Sequence, residues 1–128
     1  MSNRTFTATV RQPVMQLQGA VIIDLHGEIN SGVELSLNQA YEQAEAVQPE
    51  NIILNFSDVN YINSTGIALI VGLLARARAA KRTLAVFGLS EHYQEIFAIT
   101  RLSDFMHIFA DESSVVNSIA SNELKSEE

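Results

Sequence analysis

Residues 51–74 read NIILNFSDVNYINSTGIALIVGLL. Ile52, Ile53 and Leu54 form an unbroken apolar run, which suits a strand covered on both faces, as in a parallel sheet. That strand is expected to end near Tyr61 or Ile62. From Ile67 to Leu74 nearly every residue is apolar, so a helix from about Ser64 to Lys81 is expected, with its first half deep against the sheet. Between the two stands Asn63-Ser64-Thr65-Gly66. Asn63 or Ser64 can accept a hydrogen bond from one of the unpaired N–H groups of the first helical turn, worth about 1 kcal/mol. Gly66 is less easily explained. Glycine inside a helix costs up to about 1 kcal/mol relative to alanine, so a neighbour or a partner is expected to approach the backbone closely here. In an α/β sheet, a strand-to-helix turn of this kind lies at the carboxyl edge, where ligands and partners meet the fold.

Outward from this stretch, strands and helices alternate. TFTATVRQPV reads as an edge strand ended by Pro13, and GAVIIDLHGEIN as a strand with Val21, Ile23 and Leu25 on one face. Asn30 or Ser31 then caps a helix in which Val33, Leu37, Ala40, Tyr41 and Ala44 recur at helical spacing, with Pro49 as its stop. After the central stretch come the strand TLAVFGL and a helix opened by Ser90 that buries Tyr93, Ile96 and Phe97. DFMHIFA follows as a last strand, and DESSVVNSIA as a short helix with Val115, Val116 and Ile119 inward. The order β-β-α-β-α-β-α-β-α implies parallel pairs joined by crossovers, with the first strand antiparallel at an edge. The expected fold is a single α/β domain over residues 1–119, with a mixed, mostly parallel sheet of four to five strands and about four helices. Residues 120–128 are expected to form a disordered polar tail.

The totals agree with one globular domain: 128 residues, 47% of them hydrophobic, and no cysteine. Lack of cysteine removes disulfides, thiolate metal sites and cysteine nucleophiles, and suits a cytoplasmic location. No stretch has the length of a signal peptide core or a membrane span, so no direct membrane insertion is expected, and the formal sequons at Asn3, Asn55 and Asn63 carry no weight. The net charge of -7 argues against general nucleic-acid binding. Arg76, Arg78, Lys81 and Arg82 cluster near the end of the central helix, where cations favour the helix dipole.

The residues offer little for catalysis. His26, His92 and His107 have no metal-ligand spacing around them, and there is no phosphate loop or dinucleotide fingerprint. Ser64 lacks an evident base and a nucleophile elbow. Asp24 and Glu28 lie at even spacing on one strand, where solvent exposure is the ordinary explanation. No enzyme activity, cofactor or metal is expected.

LNFSDVNYINSTGIALIVGLLARARAAKRTLAVFGLS resembles the core of a STAS domain, and specifically of an anti-sigma factor antagonist. The family pattern is a strand, an aromatic or apolar pair, Asp-Ser-Ser/Thr-Gly, an apolar helix and a strand. Tyr61-Ile62-Asn63-Ser64-Thr65-Gly66 follows it with one exception, Asn63 in place of the aspartate. LHGEIN resembles the earlier Leu-x-Gly-x-Leu-Asp turn, with Asn30 in place of the aspartate. FGLSEHYQEIFAITRLSDFMHIFADESSV resembles the closing strand-helix-strand-helix run, so the likeness covers about residues 15–119.

The resemblance implies a binding module whose serine, here Ser64, is phosphorylated by an anti-sigma factor that is also a serine kinase. The unphosphorylated form holds the anti-sigma factor, phosphorylation releases it, and a serine phosphatase restores it. Thr65 is a lower-ranked acceptor. Asn30, Ser31, Asn63, Ser64, Thr65, Gly66 and Ile67 match positions at or near the family's docking surface. Two alternatives use the same fold without a phosphoswitch: a small STAS subunit of a membrane transport ATPase, and a signalling scaffold. The residues do not select between monomer and dimer.

Overall fold

The computed structural model describes residues 6–13 and 18–121. Five strands form one sheet in the order β1-β2-β3-β4-β5: β1 Thr7–Arg11, β2 Ala20–Ile29, β3 Asn51–Ile62, β4 Thr83–Phe87 and β5 His107–Phe109. β1 pairs antiparallel with β2, and every later pair is parallel. The expected mixed, mostly parallel sheet is therefore present. Helices α1 Glu34–Glu45, α2 Ser64–Ala79 and α3 Glu91–Ile99 each connect successive parallel strands. Because each crossover steps to the next strand in the same direction, constant handedness puts all three helices on one face. α4, Glu112–Ala120, is the last described element and packs on the other face. The expected polar tail lies mostly outside the described residues.

The strand alternation divides the core accordingly. Val21, Ile23, Leu25, Ile52, Leu54, Phe56, Leu84 and Val86 pack under α1, α2 and α3. Ala20, Ile22, Ile53, Ala85 and Phe87 point the other way and pack with Val115 of α4, with Phe109 and Ile119 at the margin. Burial on both faces is why β2, β3 and β4 read as near-continuous apolar runs. α1 buries Leu37, Ala40, Tyr41 and Ala44, and the preceding 3-10 turn, Ser31–Val33, buries Val33. α3 buries Tyr93 and Phe97, whereas Ile96 is half-buried.

Three expectations need correction. The first half of α2 is not uniformly deep: Gly66, Ile70, Leu73, Leu74 and Ala77 are buried, but Ala68, Val71 and Gly72 are exposed, Val71 to 43%. A helix in a single layer over a sheet buries one stripe, whatever its composition. The last strand covers only His107–Phe109, because Leu102–Asp104 forms a 3-10 turn. Asp24 is not a solvated carboxylate. Arg11 of β1 bonds both of its oxygens, the Asn55 amide donates to it at 2.7 Å, and the same guanidinium reaches Glu112 of α4 at 2.8 Å. One cation thus ties the edge strand, the sheet and α4 together.

The basic cluster also does more than face a helix end. Arg76 meets Glu45 at 3.2 Å and lies 4.5 Å over the Tyr41 ring, while Arg82 donates to the Pro49 carbonyl at 2.9 Å. Burial pushes the Tyr41 phenol up to about 12, with the Glu45 charge adding to the shift.

Asp111 caps α4. Its Oδ1 accepts from the Ser114 hydroxyl at 2.7 Å and the Ser114 amide at 2.9 Å, which holds its carboxyl below the ordinary value of 3.8. A depressed carboxylate contributes stability that is complete above the ordinary value and lost as the pH falls through the folded one. The stability difference between wild type and Asp111→Ala, measured by urea unfolding, is therefore expected to hold at neutral pH and shrink below pH 3.8.

Candidate functional site

The carboxyl edge of the sheet is built around the ends of β2 and β3. From Asp24↔Asn55 to Ile29↔Ile62, β2 advances five residues and β3 seven, with register shifts between Asp24 and His26 and between Gly27 and Glu28. Two extra residues in β3 thus bring Ile62 level with Ile29. Gly88, with φ +85, sits where β3 bulges; a Cβ there would stand 2.7 Å from the Ser57 amide nitrogen.

Ile62 is held from above. Its amide donates to the Tyr93 hydroxyl at 2.9 Å, and that hydroxyl donates to the Ile62 carbonyl at 3.3 Å. Both polar groups are buried, so the pairing is needed to avoid a desolvation penalty. The role of Tyr93 was missed from sequence, where it read only as a core residue. The signal was present: a buried tyrosine, unlike phenylalanine, needs a partner for its hydroxyl.

Immediately after Ile62 the chain turns into α2. Asn63 has extended backbone, φ -91 and ψ -177, and is the N-cap. Its Oδ1 accepts from the Gly66 amide at 2.8 Å, and its carbonyl accepts from the Ile67 amide at 2.9 Å. The Asn63 amide donates to the Ile29 carbonyl at 3.2 Å, so the turn is stitched to the end of β2. Gly66 is buried against that same carbonyl. A Cβ would meet its oxygen well inside contact distance, and would stand 2.9 Å from the carbonyl carbon and from Ile62 Cγ2. The close neighbour expected from the glycine is thus the backbone of Ile29.

With Asn63 serving as the cap, the hydroxyls are free of that duty. Ser64 and Thr65 are exposed, and neither side chain bonds another described residue. The first turn of α2 holds no acidic residue, so its unpaired N–H groups and dipole leave a positive potential beside Ser64. Asn30 and Ser31 lie on the adjoining turn: Asn30 is half-buried, with its Oδ1 accepting from the Gly32 amide at 2.9 Å, and Ser31 is exposed. Ile67 is half-buried and packs on the main core. The fold therefore gathers all seven predicted residues at one edge, six at least partly accessible and Gly66 beneath them.

Among the described residues no comparable gathering of catalytic groups is seen. His26, His92 and His107 are exposed on three separate elements, and no group of three or more metal-binding side chains lies close together among the described residues.

The STAS domain family matches residues 12–115 of the chain. The chain belongs to the STAS domain family. Among its curated relatives is the anti-sigma-B factor antagonist of Staphylococcus epidermidis, 32% identical over 87 residues, which cover 63% of this chain and 81% of that protein. The STAS fold is also shared with solved structures. An anti-sigma factor antagonist from Mycobacterium paratuberculosis superposes with a TM-score of 0.77 at 15% identity, over 93% of this chain and 97% of that one. The antagonist SpoIIAA in its unphosphorylated form gives 0.66 at 18% identity, over 91% and 98%. In its phosphorylated form it gives 0.58 at 20% identity, over 88% and 98%. No helix among the described residues of this STAS domain is long and apolar enough to cross a membrane.

Proposed function

We propose that this STAS domain is a cytoplasmic anti-sigma factor antagonist, a binding module rather than an enzyme, switched by phosphorylation of Ser64. Its partner is an anti-sigma factor with serine kinase activity, and a serine phosphatase reverses the modification. Kinship with curated anti-sigma-B factor antagonists supports the class of partner. The observation that carries the switch is an exposed Ser64 hydroxyl with no internal bond, standing just past an asparagine that already caps α2. Such a hydroxyl can be modified without removing a structural contact.

The docking surface consists of Asn30, Ser31, Asn63, Ser64, Thr65 and Ile67, with Gly66 setting the height of the turn over Ile29. The exposed Ala68, Val71 and Gly72 continue it along α2 as apolar area next to the switch. A phosphate adds about -1.5 to -2 charges at pH 7. The positive helix end tolerates that charge, so the domain stays folded. A closely packed partner does not, because bulk and charge now stand between the two surfaces. Asn63 and Asn30, where the family carries aspartates, keep the capping geometry and leave this edge without two negative charges.

The test is phosphate mapping. The purified chain, incubated with Mg-ATP and its anti-sigma factor kinase, is expected to gain phosphate at Ser64, read by peptide mass spectrometry. A wild-type chain that stays unmodified at Ser64 while the kinase is active would exclude the switch.

A further inference from the structure

Ser64, Val71 and Arg78 stand seven positions apart in α2. Seven residues make close to two helical turns, so the three side chains form one row, each about 10 Å along the helix from the next. All three are exposed. The row faces away from the sheet, since the buried stripe of α2 is Gly66, Ile70, Leu73, Leu74 and Ala77. Ala68, Gly72 and Ala75 lie beside the row and are exposed as well. A Cβ on Gly72 would meet nothing within 4 Å. Side chains this small let a second helix approach closely. Arg78 differs from Arg76, the other cation of the last turn. Arg76 is paired with Glu45. The Arg78 guanidinium lies 5.2 Å over the Phe105 ring and has no carboxylate partner among the described residues. An aromatic face restrains a guanidinium without using up its hydrogen-bond donors.

We propose that the phosphate on Ser64 of one chain binds Arg78 of a second copy, joining two α2 helices antiparallel about a two-fold axis at Val71. The proposal rests on the reading of Ser64 as a phosphorylated residue. Val71 lies midway between the other two. An axis beside it sets Val71 against Val71 and each Ser64 beside the other copy's Arg78. A two-fold contact uses the same patch on both copies, and here one helix supplies both the phosphate and the cation. Charge decides when the pairing forms. Without phosphate, the arrangement sets the positive N-terminal end of each helix, which has no acidic residue in its first turn, against the Arg78 end of the other. Both ends then repel. A phosphate adds about -1.5 to -2 charges at Ser64 and turns both repulsions into attractions. Its oxygens can accept two parallel N–H bonds from a guanidinium, and symmetry supplies the pair twice. Each copy also covers the apolar face beside Ser64 of the other. The phosphorylated chain thus withdraws its docking surface as well as repelling its partner.

The experiment uses the full chain with phosphoserine inserted at position 64 during translation, so no kinase is needed. Sedimentation equilibrium reads the mass in solution. The unmodified chain is expected to be a monomer, and the phosphorylated chain a dimer that weakens as salt is added. Arg78→Ala in the phosphorylated chain is expected to weaken the dimer at least about tenfold, the usual result of removing one partner of a close charge pair. Arg101→Ala, which removes an exposed arginine just past α3, is expected to leave the dimer unchanged. A thermal melt of each variant checks that it is folded. A phosphorylated chain that stays monomeric, or a dimer indifferent to Arg78→Ala, overturns the pairing. An unmodified chain that dimerises as strongly as the phosphorylated one overturns it too. None of these results bears on whether the kinase modifies Ser64, which phosphate mapping tests separately.

Discussion

Gly66→Ala is expected to destabilise the fold by about 3 kcal/mol, at the upper end of the usual cost of overpacking. An added methyl at this position meets the Ile29 carbonyl, with the carbon at 2.9 Å, and also Ile62 Cγ2. Ile62 has rotamers to try, but Ile29 is paired with Ile62 of β3 and its carbonyl already accepts from the Asn63 amide. The helix must therefore move off the sheet, and the gain in helix propensity, about 1 kcal/mol, does not offset that. Domains of this size have roughly 5–15 kcal/mol in hand, so the variant stays folded but melts well below wild type. Gly72→Ala is the control in the same helix. Nothing lies within 4 Å of its would-be Cβ, so it is expected to stabilise by about 0.5–1 kcal/mol. Urea unfolding of the two variants beside wild type checks the pair. Equal stability for Gly66→Ala and wild type would remove the steric account of this glycine.

The contrast between these two glycines marks what could be read without coordinates. Sequence spacing showed that Gly66 stood in a costly place, and the strand-to-helix order showed which edge it occupied. Its neighbour is Ile29, 37 positions earlier, and a contact of that range depends on register, which here includes two residues of bulge in β3. Asp24 failed for the same reason. Its ion-pair partner, Arg11, stands on the antiparallel edge strand and also reaches Glu112 on the far helix, three segments that only the assembled sheet brings together. Caps fared better, because they are local. Asn63, Ser90 and Asn30 each bond an amide two or three residues ahead, within the reach of a sequence pattern. The exposed stripe of α2 was misread because apolar composition overrode periodicity. Ala68, Val71 and Gly72 are apolar residues that the domain itself leaves uncovered, and that is informative about what sits beside Ser64.

Ser64→Glu is expected to cost at least about 3 kcal/mol in binding to the anti-sigma factor, roughly a hundredfold or more, while Ser64→Ala binds as wild type. The argument is one of location. Ser64 makes no contact that alanine would lose inside the domain, so Ser64→Ala leaves both fold and surface in place. A glutamate at the same position is accommodated in the free protein, because the first turn of α2 carries no acidic side chain and presents a positive dipole. In the proposed complex it would be buried without a counter-charge beside Val71, which is exposed to 43%, and an unpaired buried charge carries a cost of this order. Thermal melts of the two variants should therefore agree with wild type while their affinities, measured by calorimetry with the purified partner, separate. Because glutamate carries less charge than phosphoserine, Ser64→Glu sets a lower bound on the effect of the modification itself. Equal affinity for all three chains would place the docking surface elsewhere on the domain. A loss shared by Ser64→Ala and Ser64→Glu would instead make the hydroxyl a binding contact, and the switch would then rest on its removal rather than on added charge.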